Sequence, residues 1–217
     1  MFITLEGLDG SGKTTQARLL LDHLQASGYN VLLTREPGGT AIGDQIRAVL
    51  HNLENTAMHA TTELLLYNAS RAQLVAETLR PYLAKGGIVL CDRFYDSTLA
   101  YQGYGHKLDL DVLRAIVTFA TGGLRPDLTL YFDITPEDGL ARRKQASLFG
   151  EEWNRLDDMA LNFHQRVYAG YQQLMAAEPE RWVRIDALPP VEQVQQAVRR
   201  ELSTRLKPPV NEKVETS

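Results

Sequence analysis

Cysteine is nearly absent from this sequence, which contains only Cys91 among its 217 residues. A single cysteine excludes an internal disulfide, so we expect a protein of a reducing compartment. Long apolar runs are also lacking, since no stretch approaches the ~20 apolar residues that a membrane span requires. The first residues do not combine a basic segment with an apolar stretch of about 7–15 residues, the pattern of a secretory signal. We therefore expect a cytoplasmic protein with no membrane partner.

An excess of positive charge is missing as well. The chain has 23 lysines and arginines against 27 aspartates and glutamates, which gives a formal net charge of −4. Nucleic-acid-binding proteins usually carry a broad basic field, so no nucleic-acid partner is expected. Any phosphate group that the protein handles must therefore be bound by a local arrangement of residues.

Short apolar runs alternate with helical patterns along the chain. A helix is predicted between the first two runs, because four residues keep the i, i+3, i+4, i+7 spacing of a buried face and Gly28 follows as a stop. These four residues are Ala17, Leu20, Leu21 and Leu24. The alternation continues to a predicted C-terminal helix around residues 191–206. The pattern favours an α/β sandwich with a parallel sheet of about five strands. The apolar runs span residues 2–5, 31–33, 88–91, 128–134 and 182–185.

Low-complexity sequence is confined to residues 207–217, which begin Lys-Pro-Pro. Such an end segment is typical of disorder. We therefore expect a single domain over residues 1–206 and a disordered tail over 207–217.

A glycine-rich stretch directly follows the first apolar run. Residues 7–14 read GLDGSGKT, which fits G-x-x-x-x-G-K-[ST] between a predicted strand and a predicted helix. The glycines allow positive φ angles that turn backbone N–H groups toward an anion at a helix N-terminus. Lys13 would contact the β and γ phosphates, and the Thr14 hydroxyl would ligate Mg²⁺. The stretch predicts a triphosphate-binding P-loop made of Gly7, Leu8, Asp9, Gly10, Ser11, Gly12, Lys13 and Thr14.

Polar residues at the ends of the second and third runs predict a second substrate beside the triphosphate. The carboxyl ends of parallel strands lie at one edge of a sheet, where ligands bind. Arg93 is a planar donor suited to holding a phosphate bidentately, and Asp92 is placed to reach a metal ion through water. A surface ion pair is the alternative interpretation of these two residues. A signalling GTPase is not favoured, because the sequence has no Asn-Lys-x-Asp motif.

Two helical stretches add aromatic and polar side chains spaced four residues apart. Tyr67 and Arg71 share one helix face, so a flat base could stack on the ring and hydrogen-bond to the guanidinium. Ser97 and Tyr101 share a face in the same way, where short polar groups could read a base edge. The alternative for the first pair is a core tyrosine beside a solvated arginine.

These motifs, taken in order, resemble the thymidylate kinase family from residue 1 to about residue 202. The resemblance rests on the P-loop with its internal acid, REPGGT at 35–40, the helix at 65–73, Asp92-Arg93, AYQG at 100–103 and RPDLT at 125–129. It implies a P-loop nucleoside monophosphate kinase-like three-layer fold with a small lid at about residues 142–157. It also implies Mg²⁺-dependent phosphorylation of dTMP by ATP, which gives dTDP for dTTP synthesis, and a homodimer.

The resemblance assigns roles by position. Arg93 would bind the acceptor phosphate. Tyr67 would stack on the thymine, whose edge Arg71 and Ser97 would read. Tyr101 would crowd the sugar 2′ position and favour deoxyribose. The implied dTMP site is Asp9, Glu36, Pro37, Tyr67, Arg71, Arg93, Ser97, Tyr101 and Gln102, and the implied metal residues are Thr14, Asp9 and Asp92.

The source of a catalytic arginine is a further implication. Family members supply it from the P-loop or from the lid, and Gly10 stands at the P-loop position here, so the lid would provide it. The candidates are Arg142, Arg143 and Arg155, of which Arg155 best matches the end of the family's lid motif. Asp9 would approach the sugar 3′-hydroxyl or a metal-bound water. The implied catalytic set is Lys13, Asp9, Arg93, Arg142, Arg143 and Arg155.

Two other functions stay open. A kinase for another nucleotide or nucleoside would share the P-loop and would be recognised by its preferred acceptor. A regulatory or motor NTPase would hydrolyse ATP without any acceptor, but the sequence offers neither a basic surface nor an added domain in its favour.

Overall fold

A computed structural model describes residues 1–148, 156–157, 159–206 and 208 of the chain. Arg155 and nearly all of the predicted tail lie outside the described residues, as does most of the predicted lid beyond α7.

Five parallel strands form one sheet with the order β2-β3-β1-β4-β5. All five apolar runs are confirmed as strands, although their ends differ from the predicted ones by one or two residues. The parallel α/β architecture predicted from the sequence is thus confirmed. The strands are β1 Phe2–Glu6, β2 Val31–Arg35, β3 Ile88–Asp92, β4 Leu128–Asp133 and β5 Trp182–Asp186.

Helices connect the strands along the chain. The described residues contain α1 Lys13–Ala26, α2 Ala41–His51, α3 Ala60–Leu74, α4 Arg80–Ala84, α5 Tyr95–Thr98, α6 Leu110–Thr121, α7 Pro136–Leu148, α8 Leu161–Ala177 and α9 Val191–Ser203, with π-helical segments at Val75–Leu79 and Leu99–Gly105. The predicted C-terminal helix is confirmed, but it ends at Ser203. Arg142 and Arg143, predicted to begin the lid, lie within α7. Within the described ranges, no helix combines the length and apolar character needed to cross a bilayer.

The central strands are covered on both faces. Every residue of β1 is buried, whichever face of the sheet its side chain is on. This burial is typical of a parallel sheet with helices on both sides. Helices α1 and α9 contact each other and the sheet, whereas α2, α3 and α6 form a second contacting group. Because β1 lies between β3 and β4, the loop after it emerges at the middle of the carboxyl edge.

Candidate functional site

A cleft of about 680 Å³ opens at the carboxyl edge of the sheet, around the ends of β1, β2 and β3. Small-molecule sites commonly measure about 300–1,000 Å³, so a nucleotide-sized ligand fits. The sheet therefore gathers motifs that are far apart in sequence. The predicted residues in its lining are Asp9, Gly10, Gly12, Lys13, Thr14, Glu36, Pro37, Tyr67, Asp92, Arg93, Ser97, Tyr101, Gln102, Arg142 and Arg143. Gly7, Leu8 and Ser11 belong to the P-loop without lining the cleft.

The P-loop has the left-handed backbone that its glycines predicted. Gly10 has a φ of 79° and Gly12, the residue before α1, a φ of 82°. A Cβ atom on Gly10 would lie 2.2 Å from the carbonyl oxygen of Gly139 in α7. Glycine is therefore required where the P-loop passes α7, and this packing leaves no room for an arginine side chain at position 10.

Lys13 lies buried against the P-loop. Its Nζ donates to the Leu8 carbonyl at 2.8 Å and to Ser11 Oγ at 3.2 Å. Burial, followed by the charge of Arg93, lowers the pKa of Lys13 to about 8 although neighbouring carboxylates oppose the shift. The ammonium group is therefore still mostly protonated at neutral pH. It places a positive charge at the N-terminus of α1, whose dipole also attracts anions.

Arg93 follows β3 with a φ of 70°, which is uncommon for a residue with a side chain. Its Nη1 donates to the Gly7 carbonyl at 3.0 Å and to Ser97 Oγ at 3.1 Å. Its Nη2 pairs with Asp9 Oδ1 at 2.8 Å. The strained backbone and these bonds fix the guanidinium against the P-loop, as is common at functional sites.

Asp9 joins the P-loop to this arginine. Besides Arg93, its carboxylate accepts a hydrogen bond from the Tyr101 hydroxyl at 3.0 Å. Burial favours a raised pKa, but the charges of Arg93 and Lys13 and the hydrogen bonds outweigh it and hold the pKa of Asp9 well below its usual value. Asp9 is therefore a carboxylate throughout the physiological pH range.

Thr14 and Asp92 supply a pair of oxygen ligands at the cleft. Thr14 Oγ1 donates to Asp92 Oδ2 at 2.6 Å. Mg²⁺ usually takes one or two protein oxygens together with waters and substrate phosphates, so these two side chains fit that ion. Within the described part of the chain, no cluster of three or more histidine, cysteine, aspartate or glutamate residues is arranged to hold a metal alone. Asp9, the third predicted metal residue, has its carboxylate oxygens on Arg93 and Tyr101.

Arg71 lies behind the cleft and not in its lining. It is 1% exposed and forms a buried ion pair with Glu36 Oε2 at 2.6 Å. Its Nη1 donates to Asn68 and Thr98, both at 3.0 Å. The half-buried ring of Tyr67 does line the cleft. Tyr67 and Arg71 were predicted to face a base together, but Tyr67 lies in the cleft lining and Arg71 lies behind it.

Glu36 carries an unsatisfied acceptor in the cleft wall. Burial raises the pKa of Glu36 to about 7, although the charge and hydrogen bond of Arg71 act in the opposite direction. Its Oε1 atom is buried and has no hydrogen-bond partner among the described residues. The residue lies in the loop after β2, next to Pro37 in the predicted acceptor pocket.

The arginines of α7 line the cleft and also contact the rest of the protein. Arg142 donates to the carbonyl oxygens of Ala187 at 2.8 Å and Leu188 at 2.9 Å. Arg143 Nε donates to both oxygens of Asp157, at 3.1 and 3.2 Å. Arg155, the third candidate, lies outside the described residues.

Sequence reasoning missed two residues that support Arg93. Glu6 is fully buried and accepts hydrogen bonds from Ser97 Oγ at 2.6 Å and from the Tyr171 hydroxyl at 2.8 Å. The Ser97 hydroxyl, predicted to read a base, is thus engaged between Glu6 and Arg93. The available signal for Glu6 was a carboxylate ending an otherwise apolar strand. Tyr171 lies in the distant α8, and no local pattern marks it.

Comparison with known proteins decides the family. The family model described as thymidylate kinase matches residues 5–198. This chain belongs to the thymidylate kinase family. The thymidylate kinase of Roseiflexus castenholzii is 57% identical over 201 residues, which cover 88% of each chain. That of Bacillus pumilus is 50% identical over 207 residues, which cover 95% of this chain and 97% of that one.

The fold agrees with a solved thymidylate kinase. The crystal structure of the Ehrlichia chaffeensis enzyme superimposes with a TM-score of 0.75 at 32% identity, over 94% of this chain and 98% of that one. Membership of the thymidylate kinase family confirms the resemblance, the nucleoside monophosphate kinase fold and ATP as the phosphoryl donor. The chain is an ATP-dependent nucleoside monophosphate kinase.

Proposed function

We propose that this kinase transfers the γ-phosphoryl group of ATP to dTMP and releases dTDP and ADP. The observation that supports this most directly is a cleft in which the P-loop lies against Arg93 and Tyr101. A donor phosphate chain and an acceptor phosphate would meet between them. The names of the relatives agree with dTMP as the acceptor.

The donor side uses the P-loop. Its backbone N–H groups and Lys13 would hold the β and γ phosphates, with the charge of Lys13 close to the bridging oxygen. Thr14 and Asp92 would hold Mg²⁺, which when bound neutralises charge on the phosphates. Arg142, Arg143 and Arg155 remain the candidates for an additional cation near the transferred group.

The acceptor side is built around Arg93. Its guanidinium would bind the dTMP phosphate, while the Tyr67 ring stacks on thymine and Tyr101 contacts the sugar. Asp9 orients both Arg93 and Tyr101 through the bonds described above. Glu36 and Pro37 would form the pocket wall.

The transfer itself needs no covalent protein intermediate. An oxygen of the dTMP phosphate bonds to the γ-phosphorus as the bond to the β–γ bridging oxygen breaks, and ADP departs with that electron pair. The acceptor phosphate is already ionised near neutral pH, because its second pKa is about 6. The protein therefore contributes alignment and positive charge, and no strong general base.

An acceptor panel tests this function. With ATP and Mg²⁺, we expect kcat/KM for dTMP to exceed that for dCMP, dAMP and dGMP by about 100-fold or more, because buried polar groups reject mismatched bases. The measurement is formation of the diphosphate, with ADP release followed in parallel. A preference for another monophosphate, or ATP hydrolysis at the same rate without any acceptor, would refute dTMP kinase activity.

We also propose a homodimer formed through an apolar face on α2, α3 and α6, which pack side by side. The apolar face comprises Ile42, Val49, Leu65, Val112 and Phe119, all exposed, and Phe119 is 91% exposed. Exposed apolar residues grouped on neighbouring helices mark interaction surfaces more often than residues scattered singly. A second copy of the chain offers an identical complementary face, as two-fold dimers require.

Phe119→Glu is expected to convert the dimer to a monomer, because it places a charge in a contact region that dimerisation removes from water. Sedimentation velocity at micromolar concentration measures the change. Leu188→Glu is the matched control, since Leu188 is 51% exposed between β5 and α9, away from the apolar face. A monomeric wild-type protein, or a dimer that survives Phe119→Glu, would contradict this interface.

A further inference from the structure

A buried carboxylate outside the machinery described above contacts one residue of the cleft lining. Glu63 lies in the first turn of α3 and is 1% exposed. Its Oε1 accepts a hydrogen bond from Gln102 Nε2 at 2.6 Å. The same oxygen lies 3.3 Å from His106 Nε2. Gln102 lines the cleft, whereas Glu63 does not.

This contact determines which way the Gln102 amide points. Gln102 Nε2 donates to the Glu63 carboxyl group, so the NH₂ end of the amide faces Glu63. Within the described part of the chain, the side-chain hydrogen bond that Gln102 makes is this one, through Nε2 and not through Oε1. The amide oxygen is thus the atom that remains for a ligand, and the carboxylate fixes an acceptor at this point of the cleft.

An acceptor at this position distinguishes pyrimidine bases. Thymine carries a hydrogen on N3 and donates there, whereas cytosine has an unprotonated N3 that only accepts. An amide oxygen would bind the N3–H of thymine and repel the N3 lone pair of cytosine. If the amide turned over, this preference would reverse.

We propose that Glu63 is a positioning residue that holds the Gln102 amide oxygen toward the thymine N3–H and so selects dTMP over dCMP. This inference rests on the proposed function, because it concerns the base of the proposed acceptor. Glu63 acts through Gln102 and does not touch the substrate itself.

Glu63→Gln tests the inference. The new amide can either donate or accept, so Gln102 is no longer held in one orientation. We expect KM for dTMP to rise about 3- to 10-fold, the effect of one hydrogen bond, with little change in kcat or in KM for ATP. The ratio of the dCMP inhibition constant to the dTMP KM is expected to fall by a similar factor.

Glu77→Gln is the matched control. Glu77 accepts a hydrogen bond from Gln73 Nε2 at 2.7 Å, the same pair of side chains in an exposed position. This variant should leave both nucleotide constants unchanged.

A double-mutant cycle separates positioning from a structural role. In a Gln102→Ala background, Glu63→Gln should leave KM for dTMP and the dCMP-to-dTMP ratio unchanged, because the residue it positions is gone. Equal effects in both backgrounds, or an unchanged ratio in the single variant, would overturn the inference. Wild-type protein that fails to phosphorylate dTMP would refute the proposed function instead. Glu63→Met, which also releases the amide, replaces Glu63→Gln under the same criteria if the latter does not fold.

Discussion

Arg93→Ala is expected to lower kcat/KM for dTMP by about 100- to 1,000-fold while Kd for ATP changes less than about threefold. The guanidinium is the cation that we assign to the acceptor phosphate, and charge-assisted hydrogen bonds are roughly twice as strong as neutral ones. Its loss also leaves the half-buried Asp9 carboxylate without its partner at 2.8 Å, beside the incoming phosphate. Steady-state kinetics with varied dTMP, and calorimetric titration with ATP, measure the two effects.

Two variants control for this loss. Arg93→Lys keeps the charge but cannot bridge Gly7, Ser97 and Asp9 together, so it should recover only part of the activity. Arg114→Ala removes an exposed arginine of α6 that pairs with its neighbour Asp111, and it should behave as wild type. Unchanged dTMP affinity in Arg93→Ala would refute the role given to Arg93.

The parts of the molecule that local sequence specifies were predictable. The five strands follow from short apolar runs, and the P-loop follows from glycine spacing between a strand and a helix. Parallel topology then brings the ends of β1, β2 and β3 together, since Leu5 and Arg35 both pair with Asp92. The cleft could therefore be predicted before its walls were known.

Residues whose roles depend on tertiary contacts were not predictable in the same way. Helical spacing correctly relates Tyr67 to Arg71 along α3, but it cannot show that Glu36 holds Arg71 behind the cleft wall. Glu63 and Gln102 meet only because α3 packs near the π-helical segment Leu99–Gly105. Hydrogen bonds between positions far apart in the chain leave no periodic pattern in the sequence. The residues that hold the site residues in place can therefore be identified only from the structure.

At Gly10, the tertiary packing explains a feature that was predicted from the sequence. The sequence predicts that the P-loop supplies no arginine, and the structure adds the physical reason, which is the close approach of α7 at Gly139. The same approach brings the helix that carries Arg142 and Arg143 alongside the P-loop. The packing of α7 against the P-loop therefore both excludes an arginine at position 10 and places the cations of α7 beside the P-loop.

Lys13→Ala is expected to reduce kcat by about 100- to 1,000-fold, because it removes a preorganised positive charge from the site where charge shifts toward the β–γ bridging oxygen. The fold should survive, since the P-loop backbone is set by its glycines, and thermal unfolding checks this point. Activity close to that of wild type would contradict the assignment of Lys13 to the phosphates.

The pH dependence of the wild-type enzyme tests the role of the Lys13 charge without a mutation. Burial lowers the pKa of Lys13 to about 8, so the free enzyme loses the ammonium charge as the pH rises through that value. We expect kcat/KM for ATP to fall above about pH 8 by up to about tenfold per pH unit, since this ratio reports the free enzyme. The buried tyrosines 101 and 171 do not interfere, because burial raises their pKa values well above the ordinary one. Lys13→Arg should have lower activity but no such alkaline decline, because a guanidinium does not titrate in this range. A wild-type profile that stays level to pH 10, or an identical decline in Lys13→Arg, would show that another group controls it.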